Sequence, residues 1–136
     1  MTGAIFHWDA KAYFDYSHQR LWFQHYDYAC RAFGAEKIVV VDPKDQVDLG
    51  ISKARDIETA LRFFTGYEPV LIHGNGKEEL SGFVHPEDAV YVVGPDYGGL
   101  GLPEGAKSVR IPMGRPIELW AATALAIVLY DRFLRG

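Results

Sequence analysis

The residues best placed to do chemistry lie between Tyr91 and Arg135. Tyr91-Val-Val-Gly-Pro-Asp-Tyr-Gly-Gly-Leu100 reads as a buried strand running into a glycine-rich loop, and Val109-Arg-Ile-Pro-Met-Gly-Arg-Pro116 as a short strand stopped by proline. Ile117 to Leu134 follows as an alanine-rich run with almost no polar face. Two such loops at adjacent strand ends, backed by an apolar helix, present main-chain amides and carbonyls beside apolar side chains. That pattern suits a crevice for a small molecule. It is not a dinucleotide fingerprint, because Pro95 and Pro103 interrupt the loop and no helix starts directly behind it to receive a pyrophosphate. The Gly-Lys-Ser/Thr of a P-loop is also missing.

The order and wording of these pieces resemble the SpoU (TrmH-like) branch of the SPOUT superfamily of S-adenosylmethionine-dependent methyltransferases. That branch carries a strand followed by Gly-x-Glu-x-x-Gly, then Ile-Pro-Met, then Ser-Leu-Asn opening an alanine-rich helix that ends in Leu-Tyr-Asp/Glu. The matching residues here are Gly94, Asp96 and Gly99, then Ile111, Pro112 and Met113, then Leu119, and finally Leu129-Tyr130-Asp131. The resemblance implies S-adenosyl-L-methionine as cofactor. Backbone near Gly94 and Ile111, with Met113 and Leu119, would hold its adenosine, and Asp96, in place of the usual Glu, would order the loop or face the cationic end of the ligand. It further implies an RNA substrate, tRNA or rRNA, methylated on a ribose 2′-hydroxyl, a C-terminal trefoil knot, and a homodimer.

The catalytic residues depart from the family's pattern. Counting back from Gly34, the first motif, Asn-x-Gly-x-x-x-Arg, falls on Trp22, Gln24 and Tyr28, and the third motif has Glu118 for Ser and Trp120 for Asn. A hydroxyl acceptor must lose its proton during methyl transfer, so the candidates for that work are Tyr28 as a hydrogen-bond partner, Arg31 or Arg20 on the same helix, and Glu118 as a base at the mouth of the site. The alternative reading is a knotted dimer that binds the cofactor or its product without transferring the methyl group, and a third is methylation of an acceptor other than ribose. The aromatics Trp22, Phe23, Tyr26 and Tyr28 suit either packing or stacking on single-stranded bases. Cys30 reads as a small core residue, and the histidines at 7, 18, 25, 73 and 85 form no metal-ligand pattern.

The elements that would position these residues alternate. Ala4 to Trp8 reads as a strand. Leu21, Trp22, Tyr26, Ala29, Cys30 and Phe33 recur at helical spacing between a candidate N-cap, Ser17, and the helix-ending Gly34. Glu36 to Asp42 is a β-branched strand, Lys44 to Lys53 a polar loop, Arg55 to Phe64 a helix ended by Gly66, and Pro69 to Ile72 a further strand followed by His73-Gly-Asn-Gly76. Lys77 to Pro86 reads as polar and partly helical. This succession predicts one α/β domain over residues 1–136, with a mostly parallel sheet and helices on both faces. From Leu119 to Tyr130 the last helix is free of charge, which predicts burial on all sides and hence a partner beyond its own sheet.

At 136 residues and 49% hydrophobic the chain is sized for a single core. A net charge of -4 argues against coating nucleic acid by bulk charge. Residues 1–103 nevertheless carry -6 and residues 104–136 carry +2, through Lys107, Arg110, Arg115, Arg132 and Arg135, which makes the last third the expected face for a phosphate backbone. A single cysteine, no export signal and no membrane-length apolar run are the pattern expected of a cytoplasmic protein.

Overall fold

The computed structural model describes residues 1–8, 16–94, 102–115 and 117–135. Among them lie seven strands of one sheet: β1 (Thr2–His7), β2 (Lys37–Val41), β3 (Lys53–Ala54), β4 (Glu68–Ile72), β5 (Glu78–Glu79), β6 (Ala89–Val93) and β7 (Lys107–Arg110). Their order is β3-β2-β1-β6-β4-β7-β5, and every pairing is parallel. The helices are α1 (Tyr16–Ala32), α2 (Ile57–Leu61), which continues as a 3-10 turn over Arg62–Phe64, and α3 (Ala121–Arg135).

Strand alternation divides the core in two. Ala4, Phe6, Val40, Val70, Tyr91 and Val93 face α1 and α3, where they meet Trp22, Tyr26, Cys30, Leu125 and Leu129. Ile5, Val39, Val41, Leu71, Val90 and Val92 face Ile57, Ala60 and Phe64 on the other side. Helices therefore cover both faces, and the central strands β1 and β6 are apolar on both of their sides because both are buried. The aromatics of α1 are largely core: Phe6 stacks on Tyr26 at 4.0 Å, and Trp22 meets Trp8 edge-on at 4.8 Å. Cys30 is fully buried, and burial, helped by Asp27, pushes its thiol up to about 12, so it serves as packing rather than as a nucleophile.

Several boundaries differ from those read in the sequence. Helix α1 already includes Tyr16, so Ser17 falls inside its first turn and not at the flanking cap. The polar stretch 44–53 ends in β3, and 77–86 holds β5 and a 3-10 turn at Leu80–Gly82 rather than a helix. Helix α3 starts at Ala121, four residues later than the apolar run suggests. Within one chain α3 packs through a single face: Ala122, Leu125, Val128 and Leu129 are interior, while Ile127, Tyr130 and Leu134 are exposed.

The far end of α3 is locked to the amino edge of the sheet. His85, at 8% side-chain exposure, lies 2.6 Å from both the Tyr91 hydroxyl and the Asp131 carboxylate. Arg132 donates to the Thr2 hydroxyl, to the Tyr91 oxygen and to the carbonyls of Pro86 and Glu87. Arg135 donates to Asp131 and to the Leu80 carbonyl. Burial pushes the Tyr91 hydroxyl up and the His85 imidazole down from their ordinary values.

Candidate functional site

Because every strand is parallel, all the strand carboxyl ends meet along one edge, the usual ligand side of an open α/β sheet. The loop after β6 begins at Gly94, which is half-buried. The loop after β7 runs through Ile111, Met113 and Leu119. These two loops are not on adjacent strands as the sequence suggests: β4 lies between them, placing them about 10 Å apart, two strand spacings. The intervening strand ends in the turn His73-Gly74-Asn75-Gly76. Asp96 and Gly99 lie outside the described residues.

The loop after β7 has the character of a cradle. Ile111 is half-buried against the core, Leu119 is half-buried, and Met113 is 42% exposed. Between Pro112 and Leu119 no backbone amide or carbonyl is bonded to another described backbone group; the first such bond is Ala124 N–H to Trp120 C=O. Main-chain groups without a backbone partner among the described residues, beside apolar side chains, fit a flat, polar-edged nucleoside, so these residues suit an adenosine-bearing cofactor. Trp120 leaves the loop to pack on His25, ring centres 4.9 Å apart.

The predicted catalytic residues are not gathered there. Glu118 is on the carboxyl edge, exposed in the loop ahead of α3. Tyr28 and Arg31 sit on the outer side of α1, toward the end where Phe33 packs against Tyr130 and Phe133. Arg31 is paired with Asp27 at 2.9 Å and lies over the Tyr28 ring at 5.3 Å, and Tyr28 is 56% exposed. At the other end of α1, a network ties the β2–β3 connection to the end of β1 and to Gln19. Trp8 Nε1 donates to Gln46, the Gln19 amide donates to the Gln46 carbonyl, and Asp48 N–H donates back to Gln19.

The positive C-terminal third is mostly spent internally. Lys107 pairs with Glu68 at 3.2 Å, Arg110 caps the carbonyls of Gly76 and Lys77, and Arg132 and Arg135 hold the lock at the other end of α3. Of the five cations only Arg115 has no partner among the described residues. A separate cleft of about 500 Å³, lined by Glu58, Leu61, Arg62, Leu102 and Pro103, contains none of the predicted site residues. Among the described residues no cluster of histidine, cysteine and carboxylate could hold a metal, and no helix is long and apolar enough to cross a membrane.

The parallel sheet, its strand order and its helices on both faces are the fold of the TrmH/SpoU RNA methyltransferases. A protein whose structure addresses the 2-OH methylation of C/U34 on tRNA superposes with a TM-score of 0.66 at 15% identity, over 99% of this chain and 97% of that one. The SpoU methyltransferase AviRb from Streptomyces viridochromogenes gives 0.73 at 15% identity, over 98% of this chain and 59% of its own. Its complex with AdoMet gives 0.65 at 17%, over 98% and 57%. This chain thus spans somewhat more than half of AviRb. No family model and no curated protein matches the sequence.

Proposed function

We propose that the chain belongs to the SpoU family and is an S-adenosyl-L-methionine-dependent RNA methyltransferase acting on a ribose 2′-hydroxyl of tRNA or rRNA. The observation that carries this reading is the strand order, which sets Gly94 and the Ile111–Leu119 loop on one edge of a SpoU fold, flanking β4. Bound there, the cofactor would supply a sulfonium methyl group to an acceptor oxygen, a C–S bond giving way to a C–O bond. This chain's own residues hold the nucleoside through Ile111, Met113, Leu119 and main chain, with Gly94 on the other side of β4. Glu118, exposed at that edge, takes the acceptor proton. Orientation supplies much of the rate in such a transfer, so a modest base suffices.

The active unit is a homodimer with a knotted C-terminal region. The outer stripe of α3, with Ile127, Tyr130 and Leu134 exposed, supports the dimer. The knot is supported by the path from β6 past β4 to β7 and back to α3, which packs on β6 and β4. A dimer that binds cofactor without transferring methyl is the second reading, favoured by the engagement of Arg31 with Asp27 and its place on α1. Calorimetric titration with S-adenosylmethionine, followed by incubation of labelled donor with total RNA, separates the two. Binding with label transfer supports the enzyme, binding alone supports the second reading, and failure to bind either the donor or its demethylated product refutes both.

A further inference from the structure

Between the two cradle loops lies a third, built turn that the family's motifs do not name. His73 N–H donates to the Val109 carbonyl at 3.1 Å, Gly76 N–H to the His73 carbonyl at 2.9 Å, and Lys77 N–H to the Ser108 hydroxyl at 2.8 Å. Arg110 clamps the same turn from the next strand, donating to the Gly76 carbonyl at 2.9 Å. Gly76 is obligatory in this packing, since a Cβ there would stand 2.4 Å from the Val109 carbonyl carbon. The turn is therefore rigid and welded to β7.

Its rigidity fixes one side chain. The Asn75 backbone N–H donates to His73 Nδ1 at 3.0 Å, so in the neutral ring Nδ1 is the acceptor and the proton resides on Nε2. His73 is half-buried, and Nε2 has no partner among the described residues. A ring held in one tautomer just past the end of β4, between β6 and β7, with an N–H that has no partner among the described residues, is a preorganised hydrogen-bond donor. The loop after β7 contributes apolar groups and main chain, so a side-chain donor here complements it by reading a polar edge.

We infer that His73 is a cofactor-positioning residue whose Nε2–H donates to a neutral acceptor, a ring nitrogen or ribose oxygen, on the nucleoside held by the flanking loops. The inference rests on the cofactor reading above. Deleting the donor while keeping the ring, His73→Phe, weakens S-adenosylhomocysteine binding about fivefold to tenfold by calorimetry, the size of one neutral hydrogen bond. His73→Gln, which restores an N–H near Nε2, recovers most of it. An independent readout needs no variant: in the long-range ¹H–¹⁵N spectrum of the wild-type imidazoles, His73 is the Nε2–H tautomer, and its Nε2 resonance moves on adding S-adenosylhomocysteine. If the wild type binds but His73→Phe binds equally well, or the Nε2 resonance stays put, His73 has no such role and the cofactor reading survives. If the wild type does not bind, the cofactor reading falls and takes this inference with it.

Discussion

Replacing His85 by Phe tests the lock that seats α3. In the folded chain the Asp131 carboxylate can only accept, so the His85 proton sits on Nε2, and Nδ1 must receive the Tyr91 hydroxyl proton. Arg132 already donates to the Tyr91 oxygen at 3.2 Å, so a protonated His85 would press a second donor onto it and leave the hydroxyl proton without an acceptor. Burial lowers the His85 value first and foremost; the hydrogen bond and charge of Asp131 oppose this, and Arg135 and Arg132 reinforce it. The imidazole is thus folded in its neutral form. In the Phe variant the interior Tyr91 hydroxyl loses its acceptor, about 1 to 3 kcal/mol, whereas Asp131 keeps Arg135. With the second hydrogen bond the total is about 2 to 4 kcal/mol, or a fall in Tm of roughly 8 to 15 °C for a chain of this size.

The sign of the pH dependence follows from the lowered value. A basic group whose folded pKa is depressed contributes stability that is fully present above its unfolded value near 6.5 and is lost as pH falls through the folded one. Urea unfolding of wild type and variant at pH 8 and pH 5, at one protein concentration, measures this directly. The wild type approaches the variant at the lower pH, because only the wild type must expel a proton to fold. A gap that stays constant or widens on acidification would refute the neutral, tautomer-fixed histidine.

Other outcomes follow from the same geometry. Gly76→Ala costs about 1 to 3 kcal/mol in chemical denaturation through its clash with the β7 backbone, whereas Gly82→Ala, with open space around the new methyl, changes stability little. Ile127→Asp on the exposed α3 stripe gives a folded monomer by sedimentation if the proposed dimer forms through that stripe; a wild type that is already monomeric, or a variant that stays dimeric, refutes the proposed interface. Leu119→Arg abolishes cofactor binding or dimer formation; an unchanged dimer with unchanged affinity for S-adenosylmethionine contradicts the placement of that loop. Glu118→Gln lowers methyl transfer to RNA by about 10²-fold with cofactor affinity unchanged, the range of a lost general base.

The parts of the fold that were legible in the sequence are those that patterning controls. β1, β2, β4 and β6 are apolar runs buried on both faces, β2 and β6 of them rich in β-branched residues, and α1 carries its aromatic period openly. β3 and β5 were missed because two charged or small residues at a sheet margin leave no periodic trace. Ile117 to Trp120 look helical in composition, yet α3 starts only at Ala121, where the packing of Trp120 on His25 competes with an earlier start. The Gly94 and Ile111 loops were visible through their glycines and prolines. His73 was seen only as part of a turn, since nothing local reveals that β4 inserts between β6 and β7. The meeting of His85 with Asp131, 46 positions apart, is likewise a product of topology alone.

The brevity of β3 and β5 bears on how copies of this chain can meet. A two-residue margin strand, Glu78–Glu79 on one side and Lys53–Ala54 on the other, offers a neighbour too little free backbone to extend the sheet, and like-charged glutamates repel a second copy of themselves. With lateral growth blocked in this way, the proposed dimer is left the oily outer ridge of the last helix. A two-fold contact there closes on itself, so the protein can carry a sticky surface without the hazard of open-ended fibres.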